Sequence, residues 1–221
     1  MHALRDVVVD RMGAALVERG WQRWGDASDE TPRLTLSRPG DIVCSIGLAS
    51  LARSYGGVEF SPTAGVTHVE VSRLSAVFAG HAWRGPGDSS LFGTTLATLV
   101  RAGGRPDQSV RGWAVDAESA VEPAVDDMLE CIDTDGMAYL DGFRDLGDLI
   151  SWMRADKGYQ ILVGKLAVAL AVAGERDEAI LTLRDYVAFV AQVPPGVLRD
   201  RTQAFVDAFA AHFGYGGEVA G

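Results

Sequence analysis

The chain has 221 residues, of which 48% are hydrophobic and 23% charged, a balance that excludes disordered and fibrous proteins. Its two cysteines, Cys44 and Cys131, are too few for a disulfide scaffold and lack metal-ligand spacing, so we expect a cytoplasmic protein. The formal net charge of −10 argues against a nucleic-acid partner, because affinity for phosphate comes from clustered basic residues.

The beginning of the chain combines a helical pattern with strand patterns. Residues 1–20 predict an amphipathic helix that ends at Gly20. Apolar and polar residues then alternate in 34–36 and again in 42–48, on either side of a Pro-Gly turn. This pattern predicts two antiparallel strands, and a third strand is predicted at 58–60.

The middle of the chain returns to a helical pattern and then becomes ambiguous. A helix is predicted from Val69, with Gly80 as its stop, and a glycine-rich loop follows at 80–90. Residues 94–100 fit either a strand or a helix, because short apolar runs do not separate the two. A further strand is predicted at 110–115.

After Ser119 almost every segment has helical periodicity. Helices are predicted at 119–133, 136–154, 158–173, 175–192 and 197–213. The apolar run 161–174 is too short to span a membrane and contains Lys165, so it predicts a buried helix and no membrane contact.

These elements predict an α+β fold, with an antiparallel sheet and flanking helices in the first half and a helical, hairpin-containing second half. A sheet-containing lobe is predicted at 1–115, a helical lobe packed on it at 116–213, and a flexible tail at 214–221. We expect the two lobes to form one compact unit, because no linker rich in Pro, Gly and Ser separates them.

The net charge is concentrated in one segment. Residues 116–148 contain eleven acidic side chains and a single base, Arg144, so this segment carries the whole charge of −10 and the rest of the chain is formally neutral. A concentrated charge creates a local field, whereas an evenly spread one mainly favours solubility.

Within this segment, the helix predicted at 119–133 has an apolar stripe and an acidic face. The acidic face consists of Glu122, Asp126, Asp127, Glu130 and Asp133. Like charges at i, i+4 destabilise a helix by about 0.2–0.5 kcal/mol per pair, so this face needs a compensating partner. Either arginines from elsewhere in the chain pair with it, or it recognises a basic protein.

Other candidate sites have simpler explanations. The sequence Asp133-Thr134-Asp135-Gly136 begins like a calcium loop but lacks the later ligands, so we predict a turn between helices and no metal or cofactor. The four histidines have no metal-site spacing. Trp83, in the glycine-rich loop, is the tryptophan that we expect to be exposed and available to a partner.

The order of several short motifs resembles a group of small bacterial α+β proteins that includes immunity proteins of toxin systems. The likeness rests on Glu18-Arg19-Gly20-Trp21, the strand pair around Leu34 and Ile46, the stretch from Ser61 to Val66, and Arg111-Gly112-Trp113. The resemblance implies stoichiometric binding of a partner, which could be a toxin domain, and it implies no catalytic residue.

The sequence therefore predicts a non-enzymatic, immunity-type binding module whose acidic helical face recognises a basic protein. One alternative is an enzyme or small-ligand-binding protein that uses loop 80–90 and the carboxylates. Another is a structural helper that acts through the helical hairpin near the end of the chain. No nucleophile, metal set or cofactor loop is recognisable, which disfavours the enzyme.

Overall fold

The computed structural model describes residues 2–25, 32–87, 91–102, 112–155, 161–192 and 194–215. The chain forms two compact units. Residues 1–67 and 92–143 form the first, called the sheet unit, and residues 68–91 and 144–221 form the second, called the helical unit. The predicted α+β class is confirmed, with an antiparallel sheet in the first half of the chain and helices later.

The sheet unit contains six strands and several helices within the described residues. In chain order they are α1 (His2–Glu18), β1 (Gln22–Trp24), β2 (Arg33–Arg38), β3 (Ile42–Ala52), β4 (Val58–His68, whose last residue belongs to the helical unit), β5 (Phe92–Thr95), α3 (Leu96–Ala102), β6 (Trp113–Val115), α4 (Val121–Cys131), a π-helical turn (Ile132–Gly136) and α5 (Met137–Leu140).

The sheet has the order β1-β2-β3-β4-β5, and β6 pairs with β4 next to β5. The hairpin predicted from the alternating pattern is the β2–β3 pair, in which Leu34 lies opposite Ile46. Its turn places Gly40 at φ 73° and Asp41 at φ 59°. Glycine and aspartate tolerate this left-handed region better than other residues do, which explains why the chain reverses here.

The sheet unit has one hydrophobic core. The inward residues of β2 and β3, including Leu34, Cys44 and Ile46, pack with the apolar stripes of α1 and α4. Burial raises the pKa of the Cys44 thiol to about 11, and both cysteines are buried and outside any disulfide. The thiols are therefore core residues of this unit.

The structure decides one ambiguous prediction of secondary structure and corrects another. The ambiguous stretch 94–100 ends strand β5 and then forms helix α3. The turn predicted at 134–135 is wrong, because the helix continues through a π-helical turn into α5 and breaks only at 141–145. Gly136 lets Leu96 of α3 pack closely against this turn, since a Cβ there would lie 3.2 Å from Cδ2 of Leu96.

The helical unit consists of α2 and the last four helices. These are α2 (Val69–Phe78), α6 (Leu146–Ala155), α7 (Ile161–Val172), α8 (Arg176–Ala191) and α9 (Val197–Phe213). Gly174, at φ 83°, closes the turn between α7 and α8 and so forms the predicted hairpin. Of the helices that the structure describes, none combines the length and hydrophobicity needed to cross a membrane.

An aromatic cluster joins α2 to α9 inside the helical unit. The Phe78 ring lies 5.7 Å from that of Phe205 and 5.9 Å from that of Phe209, both edge to face. Tyr215, which falls in the predicted tail 214–221, is buried against Phe209, whereas 216–221 lie outside the described residues. The cluster fixes α2 beside α9, and this arrangement creates the cavity described below.

The two units divide the chain differently from the predicted lobes 1–115 and 116–213. Helix α4 belongs to the sheet unit because its stripe of Val121, Val125 and Met128 completes the core there. Helix α2 belongs to the helical unit because Phe78 packs with α9. Spatial packing, not chain order, therefore decides the membership of both helices.

Candidate ligand-binding site

The acidic face of α4 is partly paired with arginines and a tryptophan of the same unit. Glu122 forms an ion pair with Arg11, and Asp133 lies 3.2 Å from Arg19 Nε. Asp127, half-buried, accepts a hydrogen bond from the indole N–H of Trp113. These contacts tie α4 and the π-helical turn after it to α1, to the turn that follows α1 and to β6, so Glu122, Asp127 and Asp133 each have a structural role within the unit.

The remaining two residues of that face, Asp126 and Glu130, are exposed. Elsewhere in the acidic segment, Asp116 lies 2.8 Å from Arg53 and Asp141 lies 2.7 Å from Arg38. Each exposed ion pair contributes at most about 1 kcal/mol to stability, but every pair neutralises part of the local field. The charge of −10 is therefore less concentrated at the surface than along the sequence.

A second candidate site is a cavity of about 410 Å³ inside the helical unit. Helices α2, α7, α8 and α9 supply its walls, and His81 and Ala82 of the glycine-rich loop reach its rim. Its buried wall includes Ser72, Ser75 and Phe205. A volume of this size falls within the range of small-molecule sites in proteins.

Two serines of α2 line this cavity with unsatisfied hydroxyls. Ser72 is 4% exposed and Ser75 is 6% exposed, and neither Oγ has a hydrogen-bond partner within the described part of the chain. By contrast, the Thr202 hydroxyl, on α9 at the same cavity, donates to the Leu198 carbonyl at 2.9 Å. Buried polar groups are normally paired, so the two serines need an explanation.

The charged side chains at the cavity are cationic. Lys165 of α7 is partly buried and has no ion-pair partner among the residues that the structure describes, and burial lowers the pKa of its ammonium. Arg201 of α9 lies exposed at the rim, also without a described ion-pair partner. None of the described lining residues is acidic.

The rest of the wall is mainly apolar and tightly fitted. Helix α7 contributes Gly164, where an added Cβ would lie 3.3 Å from the Phe205 ring and 3.7 Å from the Tyr186 ring. The glycine therefore lets both aromatic rings approach α7 closely. A ligand here would meet cationic and hydroxyl-bearing side chains as well as apolar ones.

The sequence predicted only part of this cavity. The alternative hypothesis named loop 80–90, and His81 and Ala82 of that loop do line the rim. Trp83, predicted to be exposed, is instead half-buried and is not among the lining residues. The carboxylates named with the loop do not line the cavity either.

The serines, Tyr186, Lys165 and Arg201 were not predicted as site residues. The available signal was Lys165, the one charged residue in the apolar run 161–174. No group of three or more potential metal ligands occurs among the described residues. Comparison with family models, curated proteins and solved structures found no significant match.

Proposed function

We propose that the protein binds a small organic anion in the cavity of its helical unit. The observation that carries this proposal is the combination of Lys165, partly buried and without a described counter-ion, with a cavity wall in which no described residue is acidic. An ammonium withdrawn from water is unfavourable unless an opposite charge or a hydrogen-bond acceptor meets it. A bound anion supplies both.

The proposed ligand is amphipathic. Phe205, Tyr186 and the alanines of α2 give the wall a largely apolar character, which favours an alkyl or aromatic body. Arg201 at the rim attracts anions toward the mouth of the cavity, although the protein as a whole is acidic. Two buried cysteines that form no disulfide support a cytoplasmic location for this binding protein.

We expect Lys165→Met to weaken binding of organic anions about 10- to 100-fold, because hydrogen bonds to charged groups contribute about 1.5–3 kcal/mol. Isothermal titration calorimetry with decanoate, benzoate, a naphthalene sulfonate and decyl phosphate measures this effect. Lys165→Arg, which keeps the charge, should retain most of the affinity.

Arg101→Met is the matched control for charge. Arg101 is exposed on α3 and does not line the cavity. The substitution therefore removes one positive charge from the protein without changing the cavity wall. If none of the four anions binds to the wild-type protein, or if Arg101→Met weakens binding as much as Lys165→Met does, the proposed function is wrong.

Recognition of a basic protein by the acidic face of α4 is a second candidate function. Exposure of Asp126 and Glu130 on the solvent side of α4 favours it. Complementary charge mainly raises association rates and makes binding sensitive to salt. A toxin-type partner would dock on these two residues, while Glu122, Asp127 and Asp133 hold α4 in place.

This candidate predicts a salt-sensitive partner in the native host. We expect affinity capture at low salt to retain a basic protein that Asp126→Asn/Glu130→Gln protein does not retain. Asp207→Asn, on the exposed side of α9, serves as the control for loss of an acidic residue. Equal capture by the wild type and by the double variant would contradict recognition through this face.

A further inference from the structure

The two unsatisfied serines lie on the same side of α2. Ser72 and Ser75 are three residues apart, a spacing that places their side chains about 5–6 Å apart on one helix face. A serine within a helix usually bonds a carbonyl one turn earlier, and neither hydroxyl does so here. Two buried hydroxyls are thus held side by side with their hydrogen-bonding capacity unused.

Both serines are unfavourable for the stability of the unliganded protein. A buried hydroxyl that has lost water without gaining a partner destabilises the fold, and alanine has the higher helix propensity. Ala76 of the same helix and Ala79 at its carboxyl cap also line the cavity, so small apolar residues fit there. A ligand that accepts hydrogen bonds from both hydroxyls would offset the free-energy cost of burying them without partners.

We propose that Ser72 and Ser75 donate hydrogen bonds to the carboxylate of an amphipathic monocarboxylate whose negative charge Lys165 neutralises. This inference rests on the proposed function and assigns the chemical class of its ligand. A carboxylate has two acceptor oxygens, which match two neighbouring hydroxyl donors. The apolar body of the ligand then lies against Phe205 and Tyr186.

The charge inside the cavity selects a monoanion. Lys165 is a partly buried cation, whereas Arg201 lies at the exposed rim. A phosphate monoester would bring close to two negative charges to a wall with one interior cation, and burying the excess charge is unfavourable. A primary amide of the same chain would lack the charge that Lys165 requires.

The test compares three ligands that share one alkyl chain: decanoate, decanamide and decyl phosphate. We expect calorimetry to give the tightest binding for decanoate. Ser72→Ala/Ser75→Ala should bind decanoate at least about tenfold more weakly than the wild type, since a hydrogen bond to an ionised carboxylate contributes about tenfold or more in affinity. The same variant should melt at a higher temperature without ligand, a result that excludes misfolding as the cause of weak binding.

Ser151→Ala is the matched control, because Ser151 is an exposed helical serine of the same unit. It should leave decanoate affinity unchanged. The assignment is overturned if the double serine variant binds decanoate as the wild type does, or if decyl phosphate or decanamide binds more tightly than decanoate. In those outcomes the proposed function stands as long as Lys165→Met still weakens anion binding. If the double serine variant does not fold, Ser72→Ala and Ser75→Ala are each tested as single variants.

Discussion

Phe209→Ala is expected to lower the free energy of unfolding of the helical unit by about 3–5 kcal/mol, the usual loss for truncating a buried phenylalanine. Phe209 is 0% exposed. Its ring lies 5.9 Å from that of Phe78, 4.9 Å from that of Phe213 and 5.7 Å from that of Tyr215. Such aromatic pairs add about 0.5–1.5 kcal/mol each beyond burial. The substitution therefore removes both apolar contact area and several ring contacts.

Urea denaturation followed by far-UV circular dichroism measures this loss. Two units can unfold in separate transitions, so each transition is fitted by itself. Tyr55→Ala is the control, because Tyr55 is fully exposed on the turn after β3 and its loss should change stability by less than about 0.5 kcal/mol. A Phe209→Ala protein as stable as Tyr55→Ala would show that the cluster does not hold α2 against α9.

The β2–β3 hairpin could be predicted from the sequence because its signals are local, whereas strand β1 was not predicted. The alternation of Leu34 and Leu36 with polar residues, followed by a Pro-Gly turn, determines both the strands and their pairing. The apolar stripe of α4 is equally local, and its residues Val125 and Met128 are buried as expected. Periodicity identifies such elements wherever a buried side has a regular spacing.

The fate of the acidic face could not be predicted because its partners are distant in sequence. Arg19 reaches Asp133 across 114 positions, and Arg38 reaches Asp141 across 103 positions. Nothing in the local pattern links these residues. Only the packing of α1 and the sheet against α4 brings the arginines to the acids, so a charge count along the chain overstates the field at the surface.

The cavity could not be predicted for a similar reason. The residues proposed to bind the anion come from three helices: Ser72 and Ser75 from α2, Lys165 from α7 and Arg201 from α9. Each looks ordinary within its own helix. The sequence showed that Lys165 interrupts an apolar run, which argued against a membrane span, but that Lys165 lines the same cavity as Ser72 and Ser75 follows only from the tertiary fold.

Lys165 also predicts an unusual dependence of stability on pH. Burial holds the pKa of the folded ammonium below its value of 10.5 in the unfolded chain. Between these two pKa values the unfolded chain binds more protons, so the free energy of unfolding rises as the pH is raised through this window. Lys165→Met lacks the buried charge, and we expect it to be more stable than the wild type at neutral pH.

The difference in free energy of unfolding between Lys165→Met and the wild type should therefore shrink as the pH rises toward 10.5. His81, Tyr186 and Arg201 also line the cavity, but they are present in both proteins and their contributions largely cancel in this difference. The affinity of the wild type for decanoate should fall as the pH rises through the same range, because loss of the Lys165 proton removes the charge that binds the anion. A constant difference in stability across this range, together with pH-independent affinity, would show that the Lys165 ammonium neither is desolvated nor binds the ligand.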